Sequence, residues 1–515
     1  MTSYASILKT STLLETELLT AYQMKPFDAR LSQLVRGAVP LDYANPNKGS
    51  ATLALARLQS RSPNRKGTIL TNPGGPSGSG VSFLIERAGD LISNVTDGEF
   101  DILSWDPRGV NHSRPLITCG FSTAESFQDF FANTIIQNGI EARGNFTDED
   151  DLVSFFSKVN ETDNLIVETG RKCVEANDFL QFVGTTAVVR DMVSIWDCVE
   201  PSETGLNYWG FSYGTVIGNY FANMFPERVG RVVIDGVVDP VGWATKPSIA
   251  EHTIAATLND AEDTLLGFAE TCVQAGPANC SLARANSTGP EIFSELETLI
   301  DTAYNLTKQG LNNVTSFEIR AFLWGLMADP VFWSSTGVSE IEQSELVLES
   351  EANTLASKSQ RRSLVGGGIP ASSDTIIDPA AAAFFAELAI NCVDSIDQPD
   401  ITTQFLFETV VNVTQQISPL FGEVLIVQAP VFCHRFPTRA VERFTGPFNH
   451  TLAFPMLIIG NKADPITPFQ NAQNVANLLG ESARLIQQDG FGRSATNGVT
   501  HCKPDIWNSK KLSQE

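Results

Sequence analysis

Three places in this 515-residue chain hold residue types that could carry out acyl transfer. Gly210-Phe211-Ser212-Tyr213-Gly214 fits the pattern G-x-S-x-G. On a sharp turn between a strand and a helix, such a serine presents its hydroxyl outward. The flanking glycines remove Cβ atoms that would strike the adjoining strand and helix. The turn also aims the next backbone N–H, that of Tyr213, at an oxyanion forming on a substrate. A second turn, Asn72-Pro73-Gly74-Gly75-Pro76-Ser77-Gly78-Ser79-Gly80, could supply the partner donor from the Gly75 N–H. It lacks the lysine of a phosphate loop and the spacing of a dinucleotide loop, which argues against both. Asp464 follows the run MLIIG and precedes Pro465, so it falls on a loop where a carboxylate could orient a histidine. Asp235, ending VVID, is the reserve acid. Of the five histidines, His112, His252, His434 and His450 read as surface or hydrogen-bonded structural residues. The fifth, His501, lies downstream of the last apolar run.

The serine needs a strand running into it and a helix running out, and the surrounding text supplies both. LNYWGFS (206–212) reads as a strand, and YGTVIGNYFANMFPERV (213–229) as a helix stopped by Pro226. ATLALARL (51–58), GTILTN (67–72), FDILSWDPRG (100–109), VGRVVIDGVV (229–238), FPMLIIGNKAD (454–464) and ARLIQQDG (483–490) read as further strands. Helices fall near 148–176, at 185–199 and at 468–480. Strand, helix, strand at this spacing predicts a mostly parallel α/β sheet. Residues 1–35 read as an unanchored helical lead-in. The core would comprise 36–240 and 451–515, interrupted by a helical insertion over 241–450.

Composition bounds the partners. With 42% hydrophobic and 18% charged residues the chain is that of a globular protein, and no apolar run is long enough to span a membrane. A formal net charge of −24 repels phosphate backbones and so disfavours nucleic acid. Eight dispersed cysteines without a C-x-x-C pair fit disulfides better than a zinc site, with buried thiols as the alternative. Ten N-x-S/T sequons, at Asn94, Asn111, Asn145, Asn160, Asn279, Asn286, Asn305, Asn313, Asn412 and Asn449, exceed the roughly five expected by chance. Sequons and cysteines together read as secretion. The opening MTSYASILKTSTLLETELLTAY has no signal-peptide core, which leaves an intracellular protein or a start that is not the natural one.

Several ordered blocks resemble the secreted tripeptidyl-aminopeptidase-like branch of the proline-iminopeptidase-related serine hydrolases. They are VPLDYANP (39–46), LTNPGGPSGSG (70–80), FDILSWDPRGVNHSRP (100–115), GTTAVVRDM (184–192), NYWGFSYGT (207–215), FPERVGRVVIDGVVDP (225–240) and GNKADPITP (460–468). The resemblance implies an α/β-hydrolase fold with a helical lid and cleavage of short peptides, or of related amides and esters, without cofactor or metal. It implies Ser212 as nucleophile, Asp464 as acid, and Gly75 and Tyr213 as oxyanion donors. No obligate protein partner is inferred. Relatives place the histidine in a Gly-His pair after the last strand, where this chain reads Gly492-Arg493. A guanidinium does not release its proton and cannot act as a base. Removing the eight residues RSATNGVT (493–500) would restore Gly-His with His501. The alternatives are a catalytically inactive hydrolase fold that binds, and an esterase or lipase of the same fold.

Overall fold

The computed structural model describes residues 8–10, 31–121, 123–248, 257–310, 314–333, 338–339, 341, 343–344, 379–397 and 400–494. Among them, nine strands form one sheet in the order β1-β2-β3-β5-β4-β6-β7-β8-β9. The strands are β1 (Leu8–Thr10), β2 (Leu31–Pro40), β3 (Ser50–Leu58), β4 (Thr68–Asn72), β5 (Asp101–Trp105), β6 (Leu206–Phe211), β7 (Val229–Asp235), β8 (Met456–Ala463) and β9 (Ala483–Phe491). From β5 to β9 every neighbouring pair is parallel, while β1, β2 and β3 continue the sheet antiparallel. The helices that matter below are α1 (Val159–Ala176), α2 (Thr185–Val199), α3 (Tyr213–Met224), α4 (Ala261–Ala275), α5 (Gly289–Lys308), α6 (Ser316–Ala328), α7 (Pro379–Asp394), α8 (Thr403–Gln416) and α9 (Phe469–Leu479).

β4, β5 and β6 are buried along their whole length, which is why they read as continuous apolar runs rather than alternating ones. One face of the sheet packs Ile69, Ile102, Trp209 and Phe211 under the helical stretch that follows Gly80, through Val81, Leu84, Ala88 and Ile92. The other face packs Leu70, Leu103 and Tyr208 under α2 and α3, and that core runs on into the helical β7–β8 connection. The chain leaves β4 toward β5 on one side and later returns as β6 on the other. The helical segments after β4 and β6 therefore pack on opposite faces of the sheet, and the turns leading into them meet beside a crevice at the carboxyl ends of the strands.

Two expectations need correction. Residues 8–10 and 31–40 are strands, with β2 paired to β3 from Leu31↔Leu58 to Pro40↔Ser50. Leu31, Leu34, Val35 and Val39 mimic a helical spacing, but Val35 and Val39 are buried inward while Arg36 points away, the period of a strand. The helix expected over 148–176 is two helices, Glu149–Phe156 and α1. The aromatic end of the first is drawn into the β7–β8 connection, where Phe155 stacks on Phe407 with ring centroids 4.3 Å apart.

Three disulfides, Cys119–Cys173, Cys272–Cys280 and Cys392–Cys433, tie the loop after β5 to α1, close a short loop after α4, and fix α7. Cys198 is free, and Cys502 lies outside the described residues. Among the described residues no helix is long and apolar enough to cross a membrane. None of the nine described sequon asparagines is buried; Asn313 lies outside the described residues.

The loop leaving β5 is held by a buried ion pair. Arg108 donates from Nε and Nη2 to the two oxygens of Asp191 on α2, at 2.8 and 2.5 Å. Its remaining N–H groups reach the carbonyls of Pro40, Leu41 and Phe182. Every donor is used, and the pair joins β2, β5 and α2. Removing the cation strands a carboxylate in the core, so Arg108→Leu is expected to cost about 3–5 kcal/mol in unfolding free energy. Urea titration checks this, and a loss under 1 kcal/mol would contradict it.

Candidate active site

Ser212 stands at φ +54°, ψ −125° between the last residue of β6 and the first of α3. A non-glycine residue adopts this conformation only where its surroundings force it. Its N–H donates to Asp235 O at 3.2 Å, and its carbonyl accepts from Thr215 N at 2.8 Å and Thr215 Oγ1 at 2.6 Å. The β4 turn presses against the elbow. A Cβ on Gly74 would come within 2.6 Å of Phe211 O and 2.8 Å of both Ser212 Cβ and Tyr213 N. Gly74 (φ +96°) and Gly75 (φ +117°) are both in a region that side chains avoid, so the close approach and the turn demand glycine together.

Ser212, Tyr213 and Gly75 meet at one cavity of about 210 Å³. Trp243, Trp324, Leu425, Val431 and Ile466 give it apolar walls. From α7, Glu387 and Asn391 enter one helical turn apart, with Ser395 following. Trp324 on α6 donates from Nε1 to Pro465 O at 3.1 Å, so the connection also braces the Asp464 loop. Glu387 is half-buried, accepts from Ser77 Oγ at 3.2 Å, and has its carboxyl pushed upward by burial.

Asp464 is buried at the carboxyl end of β8. It accepts from Ile466 N at 2.9 Å, Thr467 N at 2.8 Å and Thr467 Oγ1 at 2.6 Å. Burial outweighs these donors and raises its carboxyl from 3.8 to about 7. The reserve acid, Asp235, is also buried, at the end of β7; neither carboxyl lines the cavity itself, but the Asp464 loop reaches it through Ile466 and Thr467.

Arg493 is the cation beside this acid. Gly492 N donates to Ala463 O at 3.0 Å, Asn461 Nδ2 to Gly492 O at 2.6 Å, and Arg493 N to Ala328 O at 3.0 Å. These bonds set the half-buried guanidinium in electrostatic reach of Asp464, Glu387 and Asp329, which oppose the lowering of its pKa by burial. Among the described residues no histidine lines the cavity. His434 Nδ1 donates to Val431 O and its Nε2 pairs with the Thr403 hydroxyl, its pKa lowered to about 4 chiefly by burial, and His450 bonds Asn223. His252 and His501 lie outside the described residues. The structure thus brings together Ser212, Tyr213, Gly75 and the Asp464 loop. Sequence reasoning had no signal for Glu387, Asn391 or Trp243, which come from helices without a local motif. Among the described residues no group of three His, Cys, Asp or Glu side chains could hold a metal ion.

A carboxyl whose folded pKa is raised holds more protons folded than unfolded between the two values. Asp464 therefore favours the fold least above pH 7, and most of that loss falls between pH 4 and 7. Asp464→Asn has nothing to titrate. Its melting temperature relative to the parent protein is expected to rise from pH 5 to pH 8. A pH-independent difference would show that Asp464 carries no such cost.

The alpha/beta hydrolase fold family matches residues 67–271, and the TAP-like protein family matches residues 418–506. The chain is 29% identical over 474 residues to serine protease Hip1 of Mycobacterium tuberculosis, covering 88% of this chain and 80% of that one. It is 31% identical over 207 residues to tripeptidyl aminopeptidase of Streptomyces lividans, covering 39% of this chain and 34% of the relative. Over 228 residues it is 28% identical to carboxylesterase B of Mycobacterium tuberculosis, 44% of this chain and 39% of the relative.

Proposed function

Because the chain belongs to the α/β-hydrolase fold family, in its TAP-like branch, we propose that it is a serine hydrolase cleaving short peptides from their amino ends through an acyl-enzyme on Ser212. The observation that carries this reading is the elbow at φ +54°, with Ser212 lining one cavity together with Tyr213 and Gly75. Ser212 Oγ attacks the scissile carbonyl carbon and gives its proton to a base. The two N–H groups hold the oxyanion. The C–N bond then breaks, the base protonates the leaving amine, and water hydrolyses the ester. His501 is the proposed base and Asp464 its orienting acid. The helices between β7 and β8 act as the lid. Glu387 is the proposed counter-charge for the substrate's free ammonium group, since of the two carboxylates that line the cavity, Glu387 and Asp239, it is the one bonded to Ser77 in the turn that carries Gly75.

A second reading, an inactive fold that binds without turnover, is favoured by Arg493 standing beside Asp464. Fluorophosphonate labelling decides between them. Ser212 is expected to take the label, with Ser212→Ala abolishing it and His501→Ala lowering it at least 10³-fold. Deletion of 493–500 is expected to keep or raise labelling. Absence of label on the parent protein would leave only the binding reading. In the same assay a tripeptide anilide with a free amino end is expected to outrun its N-acetyl form and simple acyl esters. Glu387→Gln should erase that preference by raising KM, and an unchanged preference would remove Glu387 from recognition.

Three disulfides and nine sequon asparagines clear of the core support passage through the secretory pathway. Natively produced protein is expected to lose mass on treatment with an N-glycosidase, and an unchanged mass would place it elsewhere.

A further inference from the structure

Asp394 ends α7, two turns beyond Glu387, and faces away from the cavity toward the amino end of α2. Its side chain is buried, with only 5% of the residue exposed. Oδ1 accepts from Thr185 N at 3.0 Å, and Oδ2 accepts from Trp243 Nε1 at 3.0 Å and from the Thr185 hydroxyl. Thr185 Oγ1 also lies 2.6 Å from the Tyr213 phenol oxygen. The Thr185 hydroxyl gives its single proton to Asp394 Oδ2, so the Tyr213 phenol donates to Thr185. The chain runs in one direction: Tyr213 to Thr185 to Asp394.

Thr185 is the first residue of α2, whose cap position is Gly184 and makes no side-chain cap bond. Asp394 supplies that cap from another element, satisfying an orphan N–H and placing a negative charge at the positive end of the helix. A Cβ on residue 184 would lie 2.7 Å from Asp394 Oδ1, so a glycine there makes room for the borrowed carboxylate. The same carboxylate holds Trp243, a wall of the cavity, and the Trp243 and Tyr213 rings lie 5.2 Å apart between centroids.

We propose that Asp394 is a positioning residue for acyl transfer. Through Thr185 and the Tyr213 phenol it fixes the backbone N–H that follows the nucleophile, and through Trp243 it fixes the facing cavity wall. The lid helix that presents Glu387 to the substrate thereby also sets the geometry of the elbow. The catalytic part of this inference rests on the hydrolase reading above; the mechanical part does not.

Two measurements on Asp394→Asn, Tyr213→Phe and the double variant test it. The first is turnover of a chromogenic tripeptide amide per fluorophosphonate-titrated site. In each single variant kcat is expected to fall about tenfold with KM within about twofold, and the double variant should fall no further than the worse single one, because the residues act as one unit. The second is hydrogen exchange of peptides spanning residues 206–224, which should quicken in Asp394→Asn. A residue that merely caps α2 would lower the melting temperature and leave kcat per site unchanged, which overturns the proposal. So would additive losses, or parent-like exchange at the elbow. Should the parent protein take no label, the hydrolase reading fails and the exchange experiment still decides the coupling. Tyr213→Phe removes one hydroxyl and no charge, so it keeps the test available even if Asp394→Asn folds poorly.

Discussion

The backbone of Ser212 is held where an ordinary residue does not rest, and most of the surrounding architecture serves that constraint. Positive φ at a serine costs on the order of 1–3 kcal/mol. It persists because β7 accepts its N–H, Thr215 takes its carbonyl twice, and the Tyr208 hydroxyl donates to Gly214 O beneath it. The β4 turn seals the other side at distances that admit no Cβ on Gly74. Each of these partners sits on a different strand or helix of the buried sheet. The fold is therefore rigid where the chemistry requires rigidity, and the crevice beside β4 is a consequence of strand order.

Charge is distributed around that elbow in an unusual way. Asp464 is ringed by donors from its own loop, yet burial still dominates and lifts its carboxyl to about 7. Glu387 is lifted by burial too, and Arg493 stands in electrostatic reach of both. A fixed cation near two buried carboxyls favours their ionised forms. The guanidinium thus favours the anionic forms of Asp464 and Glu387, without being able to accept a proton itself.

Much of this was legible in the sequence because it is local. The β4 turn, the elbow and the β8 loop each carry a short motif next to an apolar strand, so Gly75, Ser212, Tyr213 and Asp464 could be named from their neighbours alone. The register Asn72↔Gly210 and Phe211↔Asp235 brings these motifs together, and parallel pairing follows from the strand–helix–strand rhythm. What stayed hidden is non-local. Asp394 and Glu387 lie in an alanine-rich helix whose apolar pattern says only that it is buried. Their meaning depends on Thr185 and Ser77, some 200 and 310 residues away. The first half of β2 falls within the stretch that reads as helical for a related reason. Leu31, Val35 and Val39 recur every fourth residue, which suits a helix face and a strand face alike, and only pairing with β3 selects the strand.

The base is where fold and reactivity separate. Position 493 is gripped from three sides, by Ala463 and Asn461 through Gly492 and by Ala328 through its own N–H. Gly236 lies so close to Arg493 O that a side chain there would collide. These contacts are all backbone or come from neighbouring residues, so they do not depend on which side chain residue 493 carries. The backbone at this position is set by the fold and carries whatever side chain the sequence delivers. In this chain it receives a guanidinium, while the nearest downstream imidazole is eight residues further on, at His501. The strain that shapes Ser212 is balanced by β6, β7 and α3, so the elbow is built independently of the side chain at position 493.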